Sequence, residues 1–171
     1  LAGDSATVGL TAAAAGSLAD TLALTLTSNA NGVTGLDNVG LTAGAITVTG
    51  AAYDLARADF AATAVAFGNV RTGAVREVAL TNTVATAAAY QDSLDAVAST
   101  GVATLTVASP ANLAAGSTGY VGVTAARAGA LTGSVAVALT SNANGVAGLT
   151  NAALTGQNLA VTGDRQSTRL N

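Results

Sequence analysis

The sequence predicts an all-β protein built as an antiparallel β-sandwich repeat, with one complete unit preceded by a truncated unit. Three observations point to this class. Several segments alternate larger apolar residues with small or polar ones, which is the period of a half-buried strand. Asn-Gly and other Gly-rich segments separate them, as turns do. One block of sequence, residues 27–33, recurs at 140–146, and so long a period fits a sandwich domain rather than a solenoid rung.

The composition excludes several classes of function. Of the 171 residues 43 are Ala, 25 are Thr and 20 are Gly, and there is no Cys, His, Met, Trp or Lys. Thiol chemistry, thiolate metal sites and the commonest general base are therefore missing. A net charge of −3 argues against nucleic acid as a partner. No run of apolar residues is long enough to predict a membrane span. We expect a protein that is not an enzyme, with no cofactor and no catalytic or metal-binding residues.

The repeat sets the predicted domain boundaries. The recurring block reads Thr-Ser-Asn-Ala-Asn-Gly-Val, and at the same offset residues 1–50 align with 114–163 without a gap. In that alignment 27 of 50 positions are identical, and many of the others exchange similar residues. Residues 51–163 are thus predicted to be one complete unit. Residues 1–50 are predicted to be the C-terminal part of a truncated unit, joined at Gly50-Ala51-Ala52.

The last eight residues, 164–171, fall outside the repeat. Their sequence closely resembles the in-frame translation of a common sequencing adapter, except at Gln166. A polar linker is the alternative interpretation. Either way, this segment is left out of the fold prediction.

The strands of the complete unit are predicted from the alternation of larger apolar residues with small or polar ones, a period of two residues. The clearest places Val135, Val137 and Leu139 on one face, with Ala136 and Ala138 between them. Two strands, 64–70 and 75–83, are predicted around a turn at Thr72-Gly73 as a hairpin. The other predicted strands lie at 54–60, 93–98, 103–107, around 121–123 and at 159–161. Seven or eight strands between positions 51 and 163 is the spacing of an immunoglobulin-like sandwich. Residues 85–90 favour a short helical turn.

Few side chains are large enough to anchor the core of such an Ala-rich unit. Burial of Ala removes much less apolar surface from water than burial of Leu or Phe. Besides the Val and Leu sets, we expect five aromatic residues to serve as anchors: Tyr53, Phe60, Phe67, Tyr90 and Tyr120.

Four segments of the complete unit carry a family resemblance. Residues 51–56 (Ala-Ala-Tyr-Asp-Leu-Ala), 67–73 (Phe-Gly-Asn-Val-Arg-Thr-Gly), 78–83 (Val-Ala-Leu-Thr-Asn-Thr) and 159–163 (Leu-Ala-Val-Thr-Gly) occur in that order. In these four segments and in their order, the chain resembles the bacterial choice-of-anchor D domains. The resemblance implies an immunoglobulin-like fold repeated in tandem in a large exported protein, secreted or held at the cell surface. It implies neighbouring repeats as partners and no catalytic residues.

The repeated Asn-rich loops have some features of calcium sites. Thr27, Asn29, Asn31 and Gly32 have the alternating rhythm of a calcium loop, but the twelfth position is Asn38, so the bidentate acid is missing. The second copy lacks carboxylates in the same way. We therefore predict turns rather than metal sites.

The charged residues of the complete unit are predicted to lie on its surface. Asp92 and Asp95, with Asp54 and Asp59, are interpreted as isolated surface carboxylates rather than paired catalytic acids. A solvated face or a local ion pair is predicted for the charged residues near Phe67, which are Arg71, Arg76 and Glu77.

Two functional hypotheses follow. The first is a non-enzymatic structural spacer in an exported bacterial surface protein. The alternative is an adhesin module that binds a cell-surface glycan or protein through the loops at one end of the sandwich. An adhesive site should present an exposed aromatic or charged cluster, and the repeated loop has neither.

Overall fold

The computed structural model describes residues 5–42 and 44–165, and the regular structure within them is almost entirely β-strand. A single turn of 3-10 helix lies at Ala88–Tyr90, inside the segment where a helical turn is predicted. The chain divides into two units, Leu1–Ala52 and Tyr53–Asn171. The division falls at the end of the predicted junction Gly50-Ala51-Ala52. The prediction of an all-β chain with antiparallel sheets is confirmed.

The described part of the first unit contains four strands: β1 (Gly16–Ala23), β2 (Leu26–Ser28), β3 (Val39–Leu41) and β4 (Ala45–Ala52). β1 pairs antiparallel with β4, and β2 pairs antiparallel with β3. The pairs are nested, so the unit is a hairpin in two sections whose tip is the first Asn-rich loop.

The described part of the second unit contains nine strands and the 3-10 turn. They are β5 (Ala58–Phe60), β6 (Ala64–Asn69), β7 (Val75–Asn82), β8 (Ser93–Ser99), β9 (Leu105–Ala108), β10 (Thr118–Ala125), β11 (Gly129–Ala130), β12 (Gly133–Asn142) and β13 (Ala152–Arg165). β5 is shorter than the predicted 54–60, since Asp54 makes only an isolated bridge to Gln91. β13 continues into Asp164 and Arg165, the first two residues of the predicted tail, while 166–171 lie outside the described residues.

The strands of the second unit form two sheets. One has the order β5-β7-β10-β9 and is antiparallel throughout. The other has the order β11-β13-β12-β8, also antiparallel, and β6 pairs with β13 in parallel. β11 and β12 both lie against β13, so β11 continues the line of β12.

Both sheets contribute side chains to a single core. The contributing residues alternate along each strand as the period of two requires: Val135, Val137 and Leu139 are buried, whereas Ala136 and Ala138 between them are exposed. The first sheet adds Val78, Leu80, Leu105, Val121, Val123 and Ala125, and the second adds Val65, Phe67, Leu94, Ala96, Leu159 and Val161. One core shared by two sheets is compatible with the predicted sandwich.

The predicted hairpin between β6 and β7 is wrong. Both strands and the turn at Gly73 form, and this glycine has a φ of 83°. However, β6 lies against β13 in one sheet and β7 lies between β5 and β10 in the other. The physical reason is burial: each strand has an apolar face, and both faces contact one core only if the strands lie on opposite sides of it.

The expectation that Tyr120 anchors the core is also wrong, since this side chain is 56% exposed. Its neighbour Val121 is fully buried, and successive side chains of a strand point to opposite faces of the sheet. Phe67 is buried as expected, and Tyr53, Phe60 and Tyr90 are half-buried. The rings of Tyr53 and Tyr90 contact each other edge to face, with centroids 5.7 Å apart.

The two copies of the repeated segment have the same strand pairing. Leu22 pairs with Ile46 in the first unit, as Val135 pairs with Leu159 in the second. The loop conformation is shared as well: Asn31 has a φ of 56°, and Asn144 has a φ of 51°. The local structure of this hairpin therefore follows from the repeated sequence.

Burial differs sharply between the two copies. Leu26 and Ile46 are 46% and 42% exposed, whereas the matching Leu139 and Leu159 are 5% and 0% exposed. Among residues 5–42 and 44–52, none is buried. The difference arises because the sheet of β5, β7, β9 and β10 covers the hairpin of the second unit. In the first unit, residues 5–12 match β10 and form no strand.

We expect residues 51–163 alone to unfold cooperatively and residues 1–50 alone to show no cooperative transition. The first fragment carries the complete core, and an isolated hairpin is only marginally stable in water. Circular dichroism during heating would measure both. A sharp, reversible transition of the 1–50 peptide would contradict the assigned boundary.

Candidate functional site

A group of buried polar side chains lies where the chain enters the second unit. The segment 53–57, called here the lead-in segment, runs past the end of β7 and the end of β12. Four buried side chains hold it or each other in place, and we call them the lead-in cluster: Asn82, Gln91, Asp92 and Ser141. They come from three separate regions of the sequence, which the fold brings together.

Asn82, the last residue of β7, is the centre of the cluster. Its side chain is fully buried and makes four hydrogen bonds. Oδ1 accepts from the backbone N–H of Arg57 at 2.9 Å and from Nε2 of Gln91 at 2.9 Å. Nδ2 donates to the backbone oxygens of Asp92 and Leu113, both at 3.0 Å. Both donors and both acceptor positions of the amide are thereby satisfied.

Gln91 extends the cluster toward the loop that follows β7. Its Nε2 also donates to the backbone oxygen of Thr83 at 2.8 Å, and its Oε1 accepts from the backbone N–H of Ala85 at 2.8 Å. The N–H of Ala85 and the oxygen of Thr83 lie outside the strand ladders, and these bonds supply their partners. Such partners matter because a backbone group that is buried without one is strongly unfavourable.

Ser141 and Asp92 join β12 to the lead-in segment. The Ser141 hydroxyl donates to Oδ2 of Asp92 at 2.7 Å and accepts from the backbone N–H of Ala56 at 2.8 Å. Asp92 is buried, so its interpretation as an isolated surface carboxylate is wrong. A carboxylate that is buried and already hydrogen-bonded is poorly placed to reach a substrate.

The backbone of Asp54 is hydrogen-bonded to the segment that carries Gln91 and Asp92. Its N–H donates to the oxygen of Tyr90 at 2.9 Å, and its oxygen accepts from the N–H of Asp92 at 3.0 Å. Its Oδ2 is buried and has no hydrogen-bond partner among the described residues.

The other two acidic residues have different settings. Asp59 is exposed, as predicted. Asp95 is half-buried, and both its oxygens accept hydrogen bonds, at 2.6 Å from the backbone N–H of Asn112 and at 2.7 Å from Nδ2 of Asn142. Asp95 therefore fixes two loops.

The Asn-rich loops use their amide oxygens on their own backbone. Oδ1 of Asn29 accepts from the N–H of Asn31 at 2.8 Å, and Oδ1 of Asn142 accepts from the N–H of Asn144 at 2.8 Å. In the second unit, Nδ2 of Asn144 also donates to the hydroxyl of Ser93 at 2.7 Å. This geometry is typical of Asx turns. Within the described residues, no group of three or more acidic residues could hold a metal ion.

The charged residues near Phe67 lie on the surface. Arg71, Arg76 and Glu77 are all exposed, which confirms the predicted solvated face. The guanidinium carbon of Arg76 lies 5.7 Å from the centroid of the Phe67 ring, a distance at which a cation is attracted to the aromatic face.

An apolar groove of about 550 Å³ lies along the hairpin of the first unit. Its apolar lining includes Leu10, Leu18, Leu22 and Val48. The residues at the matching positions of the second unit are Val123, Leu131, Val135 and Val161, all but completely buried in the core. The groove is therefore an uncovered core face.

Sequence reasoning missed the lead-in cluster. In the sequence, Asn82 is a polar residue at the end of an apolar strand and part of segment 78–83 of the family resemblance, with no sign that it is buried. Ser141 was visible only as part of the repeated loop. The one available signal was that Asn82 ends a strand just before a turn, where a buried amide can satisfy backbone groups outside the ladder.

The repeat offers a matched test of the cluster, since Ser28 occupies the position of Ser141 in the first unit and is exposed. We expect Ser141→Ala to lower the free energy of unfolding of the second unit by about 1–3 kcal/mol, because two buried groups lose their partner. Ser28→Ala should change it by less than about 0.5 kcal/mol. Urea denaturation of both variants would measure this. Equal effects would show that the cluster contributes no stability.

No protein-family model and no curated protein matches the chain. In the part of the chain that the structure describes, no helix is long and apolar enough to cross a membrane.

Proposed function

We propose that this chain is part of a non-enzymatic structural spacer, built of immunoglobulin-like repeats, in a large exported bacterial surface protein. In this role each unit adds length, and its neighbours in the same chain are its main partners. The observation that carries the proposal is the second copy of the hairpin. Residues 114–163 repeat the sequence of 1–50, and the two copies share strand register and loop conformation.

The strand order supports an immunoglobulin-like unit. In that fold, strands A, B, E and D form one sheet and strands C, F and G form the other. If β5, β7, β8, β9, β10, β12 and β13 are labelled A to G in chain order, the first sheet is A-B-E-D and the second is G-F-C. β6 is then an additional strand alongside G.

The path of the chain supports a spacer. The lead-in segment is hydrogen-bonded to Ser141 at the end of β12, and β13 begins opposite the same residue. β13 then runs 14 residues to Arg165, a length of about 45 Å at 3.3 Å per residue. The chain therefore enters and leaves the second unit at opposite ends, so units in series add their lengths.

The resemblance to choice-of-anchor D domains is the basis for proposing export from a bacterium and a place at the cell surface. The residues behind it have structural roles that suit a repeat. Phe67 is in the core, Gly73 makes the turn between the sheets, and Asn82 is the centre of the lead-in cluster.

A long sequencing read of the parent gene on both sides of this region would test the proposal. We expect further units that match 51–163 in length and pattern, a secretion signal and an anchoring tail. The same read would show whether residues 164–171 are native. A neighbouring catalytic domain in place of repeats would contradict the spacer and make the unit an accessory module.

Adhesion is the second candidate, and exposed Tyr120 is the observation that favours it. This ring lies on the outer face of β10, not in the loops at the end of the sandwich where we expected a binding site. The polar side chains of those loops are largely occupied by internal hydrogen bonds. Binding of the chain to a glycan array, abolished by Tyr120→Ala, would favour adhesion over the spacer.

A further inference from the structure

After the lead-in segment, β6 is the first strand that joins the second sheet, the one that contains β13. Among the described strands of that sheet, only β6 runs parallel to its partner. Five register pairs join it to β13, from Ala64 opposite Ala160 to Asn69 opposite Asp164. The N–H of Ala160 donates to the oxygen of Thr63 at 2.9 Å just before the first pair. The strand that follows the start of the unit thus lies beside the strand that ends it.

Tension along the chain acts on these two strands in a particular direction. It draws the lead-in segment away from one end of the unit and Arg165 away from the other. Because β6 and β13 are parallel, the start of β6 and the end of β13 are pulled in opposite directions along their own axes. The strands must slide past each other, and all the hydrogen bonds between them are loaded together.

Side-chain packing opposes the same sliding motion. Val65 and Phe67 extend from β6 into the core and would have to leave it as the strand moves. Gly163 of β13 lies so close to Phe67 that an added Cβ would be 2.7 Å from the Phe67 Cβ. Sliding would drive β13 atoms against this side chain.

The lead-in segment adds bonds at the point where tension enters. The N–H groups of Ala56 and Arg57 donate to Ser141 and Asn82, and the N–H of Thr83 donates to the oxygen of Arg57 at 2.8 Å. β5 then pairs with β7 over three residues. These bonds lie outside the β6–β13 pair and must also break before tension reaches it.

We propose that the second unit is a load-bearing element, in which the parallel pair of β6 and β13 resists tension applied along the chain. This inference rests on the proposed spacer function, since only a protein held at one end and pulled at the other experiences such a load. It adds the mechanism by which the unit keeps its fold under that load.

Single-molecule pulling of the full chain in two directions would test this. The protein has no Cys, so the handles attach only to the two cysteines introduced in each variant. Ala62→Cys with Arg165→Cys attaches the handles at the start of β6 and the end of β13 and loads the two strands in shear. Thr72→Cys with Arg165→Cys pulls apart the ends of β6 and β13 that lie side by side, so their bonds break in sequence. We expect the unfolding force in shear to be at least about twofold higher, because the bonds of the ladder share the load.

Ala62 and Thr72 are both exposed, so neither substitution removes a core contact, and the two variants should melt at the same temperature. Equal unfolding forces in the two directions would overturn the load-bearing role. The pulling result and the sequence of the parent gene test different proposals. If the gene encodes an array of repeats but the two forces are equal, the spacer function stands and the shear mechanism is wrong. A gene without repeats would remove the spacer whatever the forces are.

Discussion

Replacing Phe67 with alanine is expected to lower the free energy of unfolding of the second unit by about 3–5 kcal/mol. The ring is 4% exposed and belongs to the core cluster, and it is the only aromatic side chain among the buried core residues of the described chain. Neighbouring Val and Leu side chains are too small to refill its volume. In a domain of this size the loss corresponds to a fall in melting temperature of more than about 10 °C, which calorimetry would record.

Tyr120→Ala is the matched control, since it removes an aromatic ring of similar size from the exposed face of β10. Its effect should stay within about 0.5 kcal/mol, the usual range for a surface position. A fall of only one or two degrees for Phe67→Ala would contradict its place in the core. A large fall for Tyr120→Ala would show that the outer face of β10 is covered by something else.

Replacing Asn82 with leucine is expected to be at least as damaging as the loss of Phe67. Leucine is close to asparagine in size and leaves no room for water to replace the amide. Four groups would lose a hydrogen bond: the N–H of Arg57, the amide of Gln91, and the oxygens of Asp92 and Leu113. The Gln91 amide keeps its bond to Thr83, and the Leu113 oxygen keeps its bond from the N–H of Leu94. Each of the two groups left without a partner costs about 1–3 kcal/mol, and each of the other two lost hydrogen bonds costs about 1 kcal/mol. We therefore expect a loss of about 4 kcal/mol or more in urea denaturation.

Two further variants keep this prediction testable if Asn82→Leu does not fold. Gln91→Ala removes the neighbouring amide, which makes three hydrogen bonds, and should lower stability by about 1–3 kcal/mol. Asn158→Leu changes an exposed asparagine on β13 and should have little effect. Similar stability for Asn82→Leu and Asn158→Leu would mean that the lead-in cluster does not hold the chain in place.

Local pattern predicted most of the strands because the relevant forces act between near neighbours. The alternation around Val135, Val137 and Leu139 sets which side chains face the core, whatever lies opposite. The Asn-Gly turns depend on the ability of Asn31 and Asn144 to adopt a positive φ. Both copies of the hairpin therefore have the same register, although only one of them is covered.

The candidate site could not be predicted in this way, because it depends on residues that are distant in the sequence. Ser141 and Ala56 are 85 positions apart, and Asp92 and Ser141 are 49 apart. Nothing in the sequence around Asp92 distinguishes a buried carboxylate from an exposed one. Its burial follows only from the way that β12 passes the lead-in segment.

The sequence by itself determined the all-β class, the recurrence of 1–50 at 114–163, most strand positions and the conformation of the Asn-rich loops. Each of these follows from side-chain alternation, from the repeat itself or from backbone preferences within a few residues. Only the tertiary structure decided that β6 joins β13 instead of β7, that Tyr120 faces outward and that Asn82 and Asp92 are buried. These outcomes depend on which apolar faces cover each other across the core, and that choice is made between strands far apart in the chain.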